Sequence, residues 1–212
     1  MAMNTKEAEE VVTLAKQKRL FFMEGMWARF FPAVRYVRQI IDEGVLGDVH
    51  HVHSTFGVSF KADNNRIWKK VTSAGKLNDD GVDVYSFVTL EYSGQRFATL
   101  EYSTLAKISE TVTITGTKGR IFIQPPAHAT MEISVVTYDE QGKETEKTSR
   151  FPWPNPSDHH SGFLYEAEAV TEAIRNEQIE CSEYSHAELL GIMKIMDTIR
   201  HDLKLVYAAD AP

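Results

Sequence analysis

The chain has 212 residues, 42% of them hydrophobic, so it is long and apolar enough to bury one large core. Its 23 basic and 30 acidic residues give a formal charge of -7, and the basic residues form no block, which argues against a nucleic-acid partner. The single cysteine, Cys181, excludes an internal disulfide, and no stretch has the length of a transmembrane helix or the pattern of a signal peptide. We therefore expect a soluble, cytoplasmic protein with no membrane contact.

The first predicted element is a helix over residues 4–18. Asn4 or Thr5 is a suitable N-cap, acidic residues occupy the first turns, and basic residues follow at the end, as the helix dipole favours. The apolar residues recur at helical spacing and predict one buried face, formed by Ala8, Val11, Val12 and Ala15.

The stretch 20–32, LFFMEGMWARFFP, is the most unusual part of the chain. Its apolar run is too short for a membrane span, and we predict a fully buried strand, parallel and in the middle of a sheet. The run is followed by residues with large side chains that suit a pocket wall, since ligands in open α/β sheets bind just past strand ends: Glu24, Trp27, Arg29, Phe30 and Phe31. The alternative is that these aromatic residues are simply core at a domain junction.

A second helix is predicted over residues 33–43, with Gly44 as its stop. A strand over 49–60 should follow, and its alternation places His51 and His53 on one face. Two imidazoles raise the possibility of a metal site, but a zinc site needs a third ligand. Solvent-facing histidines are the favoured alternative.

A polar loop containing Trp68 precedes an antiparallel meander of strands. Strands 82–92 and 96–103 are predicted to form a hairpin through a two-residue turn at Ser93 and Gly94. Four more strands are predicted over 110–115, 120–124, 131–139 and 143–151. A proline-rich loop then leads to helices over 162–176 and 184–203, the second with a predicted buried face of Leu189, Leu190, Ile192, Met193, Met196 and Ile199.

The sequence has an α+β pattern without a recognisable catalytic set. It contains no glycine-rich phosphate loop followed by a helix, and no Gly-x-Ser-x-Gly elbow. Asp79, Asp80 and Asp83 do not fit the calcium-loop template, and a turn explains them better. From the residues alone we expect one domain with a possible aromatic pocket.

Three groups of motifs resemble one family. LFFMEGMWARFFPAVRYVRQIIDEGVLGDV, the later RIW, and the pair GFLYEAEAVTEAIRNE and LLGIMKIMDTIR together resemble the dimeric dihydrodiol dehydrogenases, which are also NADP-dependent D-xylose dehydrogenases. These belong to the glucose-fructose oxidoreductase (Gfo/Idh/MocA) family. The resemblance covers nearly the whole chain, and MEGMWARFFP is its most specific part.

The resemblance implies a fold, a cofactor and partners. Family members have an N-terminal Rossmann domain that binds NADP and a second domain that shapes the substrate pocket and forms the dimer. Residues 1–26 would then be the last α-β unit of the Rossmann domain. Residues 27–212 would be the substrate and dimerisation domain, a large, mainly antiparallel sheet with helices on one face. A cyclic diol or an aldose is the implied substrate, and a homodimer the implied assembly.

The resemblance also assigns site residues. Trp27, Phe56 and Phe163 match positions that line the substrate pocket, Arg29 is a nearby polar contact, and Glu24 is assigned to the cofactor side.

Two departures from the family pattern concern activity. The family's catalytic Lys lies before the position at which this chain's first helix starts, and a further segment with active-site Asp and Tyr or His residues has no counterpart after Lys70. The chain thus resembles a truncated form with an internal deletion near residue 70. We expect it to be inactive alone and to bind no NADP tightly; the alternative is a non-catalytic fragment that dimerises with an intact subunit.

Overall fold

The structure is a computed structural model that describes residues 2–55, 68–155 and 157–207. These residues form one eight-stranded sheet and four α-helices. The helices are α1 Thr5–Lys18, α2 Pro32–Asp42, α3 Phe163–Arg175 and α4 His186–Leu203. The strands are β1 Val49–Ser54, β2 Trp68–Leu77, β3 Asp83–Tyr92, β4 Arg96–Ser103, β5 Val112–Gly116, β6 Gly119–Ile123, β7 Glu132–Tyr138 and β8 Glu144–Arg150.

The strand order in the sheet is β2-β3-β4-β1-β5-β6-β7-β8. Every neighbouring pair is antiparallel except β1 and β4, which run parallel, so the predicted mainly antiparallel sheet with helices on one face is confirmed. The meander is interrupted, however, because β1 inserts between β4 and β5. Sequence neighbours do not reveal this insertion, since β1 and β4 are separated by two whole strands.

Several strand boundaries differ from the prediction, and Trp68, predicted to lie in a loop, is the first residue of β2. β1 ends at Ser54, and the rest of its predicted range, with Phe56, lies outside the described residues. The hairpin between β3 and β4 closes through three residues rather than two, because Tyr92 pairs with Arg96. Gly94 and Gln95 both have positive φ, the geometry that lets a three-residue loop reverse the chain.

The sheet has one face covered by helices. The face of β5, β6 and β7 packs under α2. The fully buried residues of this cluster include Val37 of α2 and, from the strands, Val112, Ile114, Ile121 and Ile133. The face of β3 and β4 packs under α4, which contributes Ile195 and Ile199. The prediction that Met196 is buried is wrong: it is 48% exposed, because it lies on the outer side of α4.

Helix α1 forms as predicted, with Asn4 as the N-cap whose side chain accepts from the backbone N–H of Glu7. Ala8 and Val12 pack in one cluster with Leu189 and Met193 of α4, whereas Val11 is 37% exposed. The helix is therefore bound to α4 and not to the sheet.

The predicted buried strand after α1 is wrong. Residues 20–26 have no regular secondary structure, and Leu20 is 60% exposed. A central parallel strand needs a neighbour on each side, whereas here one backbone bond joins the segment to residues near α4, from the N–H of Phe22 to the carbonyl of Ile179 at 3.1 Å. A short 3₁₀ helix, η1 (Trp27–Phe30), follows directly.

None of the helices in the described part of the chain is long and apolar enough to cross a membrane.

The loop after α2 passes closely over Gly116, the last residue of β5, so a substitution at Gly116 tests this packing. A Cβ at Gly116 would lie 2.3 Å from the carbonyl oxygen of Leu46, and that loop is fixed by a hydrogen bond from Lys118 N–H to the same carbonyl. We expect Gly116→Ala to lower the free energy of unfolding by about 1–3 kcal/mol, as overpacked sites do, in urea denaturation. Gly25→Ala is the matched control, because nothing lies within 4 Å of its Cβ position. Equal stability of the two variants would contradict the close approach.

Candidate functional site

The short helix η1 connects the N-terminal segment to α2, and it is anchored by Arg29. The guanidinium of Arg29 donates through Nη2 to Glu188 in a buried ion pair and through Nε to the backbone carbonyl of Glu183 at 2.7 Å. It also lies 5.3 Å from the ring centroid of Tyr184, a cation–π distance. Glu188 itself is the N3 residue of the capping box that starts α4. Arg29 therefore joins η1 to the first turn of α4.

An aromatic cluster extends from the other side of η1. The ring of Trp27 stacks on Phe163 of α3 with centroids 4.5 Å apart and an interplanar angle of 25°. Phe31 meets Trp27 edge-on at 5.0 Å and Trp153 at 4.8 Å. Phe31 and Trp153 are buried, whereas Phe163 is 49% exposed. The cluster is core at one end and accessible surface at the other.

The accessible end borders an apolar cleft of about 510 Å³. One wall is the irregular segment before η1 and the other is the first half of α3, and the lining residues are Phe21, Phe22, Met23, Gly25, Phe163, Glu166, Ala167 and Val170. The cleft exists because residues 20–26 lie apart from the sheet and leave a groove against α3. Its size is within the range of small-molecule sites.

Glu166 is the ionisable side chain that lines this cleft. Its Oε1 accepts a hydrogen bond from the backbone N–H of Met26 at 2.7 Å. Burial raises the pKa of the Glu166 carboxyl, the Met26 N–H opposes that shift, and the negative charge of Glu24 adds to it, with a net increase. The cleft therefore combines aromatic surface with two neighbouring carboxyl groups.

The structure brings some of the predicted site residues together. Trp27 and Phe163, 136 positions apart in the sequence, are in direct contact, and Glu24 is close enough to Glu166 to affect its pKa. Arg29 lies apart from the cleft, 3% exposed and bonded to the start of α4. In that position Arg29 anchors η1 and does not line the cleft. Phe56 lies outside the described residues.

Sequence reasoning missed Glu166 and the pair Phe21 and Phe22 as cleft residues. Glu166 could have been found from its spacing, since it follows Phe163 by three positions on a predicted helix and so shares its face. Phe21 and Phe22 were predicted as buried strand residues, and that error concealed their place in the cleft.

His51 and His53 of β1 both lie within hydrogen-bond distance of one threonine hydroxyl. His51 Nε2 and His53 Nδ1 lie 3.1 and 2.8 Å from Thr99 Oγ1 of β4, and their rings are 6.3 Å apart. Burial, with the charge of His53, lowers the pKa of His51. Within the described residues no group of three His, Cys, Asp or Glu side chains is placed to hold a metal ion.

The anchoring role of Arg29 makes a measurable prediction. Replacing Glu188 by Ala leaves a buried guanidinium uncompensated, and we expect a loss of about 3–5 kcal/mol in the free energy of unfolding. The double variant Arg29→Met with Glu188→Leu should recover part of that loss, because no buried charge remains. Urea denaturation measures both.

The exposed pair Arg120 and Glu144 supplies the control, since both side chains are largely solvated. Glu144→Ala should leave stability almost unchanged. If Glu188→Ala behaved like Glu144→Ala, η1 would not depend on this ion pair.

The sequence is similar to that of several curated proteins along its whole length. The chain is 28% identical over 244 residues to trans-1,2-dihydrobenzene-1,2-diol dehydrogenase from Danio rerio, a match that covers 100% of this chain and 70% of that protein. The protein of the same name from Homo sapiens is 25% identical, with 98% and 69% covered. No protein-family profile matches the chain.

Solved structures share the fold at low sequence identity. Levoglucosan dehydrogenase, in complex with NADH and levoglucosan, has a TM-score of 0.76 at 17% identity and covers 96% of this chain and 69% of its own. An aldose-aldose oxidoreductase from Caulobacter crescentus has a TM-score of 0.73 at 14% identity, with 96% and 68% covered. A super-repressor mutant of Gal80p from Saccharomyces cerevisiae also has a TM-score of 0.73, at 10% identity, with 95% and 68% covered.

These matches confirm the resemblance and the fold class predicted from the motifs. The mostly antiparallel sheet with its helices is the kind of fold found in the C-terminal domain of Gfo/Idh/MocA-type oxidoreductases. The chain is therefore similar in sequence to the trans-1,2-dihydrobenzene-1,2-diol dehydrogenases, and it has the fold of the C-terminal domain of glucose-fructose oxidoreductase-type enzymes.

Proposed function

We propose that this chain is the substrate-binding part of an NADP-dependent oxidoreductase that acts on a small cyclic diol or an aldose. The observation that carries the proposal is the Trp27–Phe163 stack beside the apolar cleft, in a chain similar throughout to dihydrodiol dehydrogenases. Aromatic faces pack well against the carbon skeleton of a ring. A neighbouring carboxylate such as that of Glu166 accepts hydrogen bonds from hydroxyl groups.

The charge of the cleft supports a neutral substrate. Glu166 lines it, Glu24 is close, and the described residues of its lining include neither Lys nor Arg. An anionic sugar phosphate or carboxylic acid would be repelled in this apolar setting, where charges interact more strongly than in water. A neutral diol or aldose meets no such cost.

The same lining does not fit the phosphate groups of NADP, which need basic side chains or a glycine-rich loop at a helix start. We therefore assign to these residues only the binding and orientation of the substrate. Hydride transfer also requires a nicotinamide held at reacting distance. We expect this chain alone to turn over neither D-xylose nor a cyclic diol.

The length of the alignment supports the proposed internal deletion. The match to the Danio rerio protein spans 244 positions and this chain has 212 residues, so at least 32 aligned positions of the relative have no counterpart here. The resemblance implies a segment of a few tens of residues after Lys70, which would account for a gap of that total length.

Ligand binding to the isolated chain tests the substrate site. With 5-fluorotryptophan incorporated, titration with trans-cyclohexane-1,2-diol and with D-xylose should shift the ¹⁹F resonance of Trp27, which Trp27→Phe identifies by its loss. Phe163→Ala should abolish the response, because it removes the stacking partner. Tyr102→Ala is the matched control, an exposed aromatic on the sheet. No shift of the Trp27 resonance in the unmodified chain would contradict the substrate site.

An NADPH fluorescence titration and a turnover assay on the same sample test the cofactor part of the proposal. Tight NADPH binding with measurable turnover by this chain alone would overturn the expectation of inactivity.

A second candidate function is a non-catalytic, dimerising fragment. The sheet face opposite the helices carries exposed aromatic residues, with Phe87 40% and Phe97 41% exposed, beside the half-buried Tyr85 and Phe122. Exposed aromatic side chains on an uncovered sheet face favour association with a second copy or with an intact subunit. The likeness to Gal80p, a structure named as a super-repressor, is a reminder that this fold does not by itself imply catalysis.

Sedimentation at micromolar concentration tests the dimer. We expect the unmodified chain to sediment as a dimer and Phe97→Asp to sediment as a monomer, because the substitution removes an exposed aromatic ring and places a carboxylate beside Glu91, its cross-strand neighbour. Val206→Asp is the control, since Val206 is 76% exposed and lies after α4. A stable monomer without any substitution would exclude association through this face.

A further inference from the structure

The segment that forms one wall of the cleft has almost no secondary structure to hold it in place. At the start of the segment, the N–H groups of Leu20 and Phe22 donate to the carbonyls of Ala15 and Ile179, and His186 Nε2 lies 2.9 Å from the carbonyl of Phe22. These contacts hold the start of the segment near α1 and α4. At its end, the N–H of Met26 donates to Glu166 of α3, across the cleft.

Glu166 and Phe163 act on neighbouring residues of that wall. They are three positions apart on α3 and therefore share a helix face. Glu166 holds the backbone of Met26 at 2.7 Å, and Phe163 stacks on the ring of Trp27, the next residue, at 4.5 Å. The hydrogen bond from Met26 to Glu166 and the ring stack of Trp27 on Phe163 thus fix the position and the orientation of Trp27 against α3.

Met26 is the residue at which the chain turns into η1. Its carbonyl accepts from the N–H of Arg29 at 2.8 Å. A charged acceptor makes a shorter and stronger bond to an N–H than a neutral one does. The Glu166 carboxylate therefore holds the chain at the point where it enters η1.

We propose that Glu166 is a positioning residue for ligand recognition: it fixes the Met26–Trp27 turn against α3 and so assembles the aromatic wall on which a ring-shaped, hydroxyl-bearing ligand packs. The inference rests on the proposed substrate site, and it adds a residue with a defined role. Removing the acceptor should loosen Met26 and Trp27 locally, because Arg29 independently joins η1 to α4 through Glu183 and Glu188.

Three variants separate a positioning role from a general structural one. Glu166→Leu removes the acceptor while keeping similar bulk. Glu166→Gln keeps a carbonyl oxygen that can accept from Met26 N–H. Glu168→Leu changes an exposed glutamate on the same helix and serves as the control.

Hydrogen exchange by NMR gives the first readout. In Glu166→Leu we expect the amide of Met26 to exchange about tenfold faster or more, while amides in the core of α4 keep their rates. Glu166→Gln should restore most of the protection. A role limited to overall stability would instead raise exchange rates throughout the chain, and an unchanged Met26 rate in Glu166→Leu would overturn the proposal.

The ¹⁹F signal of Trp27 gives the second readout. In Glu166→Leu it should move towards the shift of Trp27 in Phe163→Ala and lose its response to trans-cyclohexane-1,2-diol, whereas Glu166→Gln and Glu168→Leu should keep both. If the unmodified chain shows no response to the diol, the substrate site fails, yet the exchange of Met26 still decides the role of Glu166.

Discussion

The buried ion pair between Arg29 and Glu188 is the interaction on which the rest of the site depends. Taking both charges out of water is costly, and the attraction compensates only because each partner makes further bonds, Arg29 to the Glu183 carbonyl and Glu188 within the capping box of α4. The neighbouring Arg38 illustrates the cost of burying a positive charge. Burial, together with the charge of Arg29, lowers the pKa of the Arg38 guanidinium to about 10. The pair places η1 against α4 and thereby determines where the chain before and after η1 can run.

The position of η1 on α4 determines where the residues before it can line the cleft. With η1 held on α4, residues 20–26 lie beside α3 and not in the sheet, and Trp27 stands against Phe163. The site combines one regular element, α3, with one irregular segment, residues 20–26. A binding wall carried by a loop on a rigid scaffold is a common arrangement for ligand sites.

The two faces of the sheet differ in their side chains and in whether helices cover them. Helices α2 and α4 cover one face and bury aliphatic residues of the central strands, whereas the other face combines threonine, histidine and aromatic side chains. The histidine pair belongs to this second face and is satisfied by Thr99, so its chemistry is used within the sheet. The cleft is lined by α3 and the segment before η1, so the proposed ligand site and the proposed association face share no residue.

Much of the fold is determined by the sequence itself, because its signals are local. Capping residues, helical apolar spacing and short turns predict α1, α2, α3, α4 and most strands to within a few residues. The contact between Trp27 and Phe163 could be anticipated only through the family resemblance, since nothing local joins positions so far apart. The insertion of β1 beside β4, the burial of Arg29 and the role of Glu166 were decided by the tertiary structure. The clearest case is the run LFFM: its composition is that of a buried strand, but a strand forms only where neighbouring strands supply hydrogen bonds, and the described chain offers it none in that place.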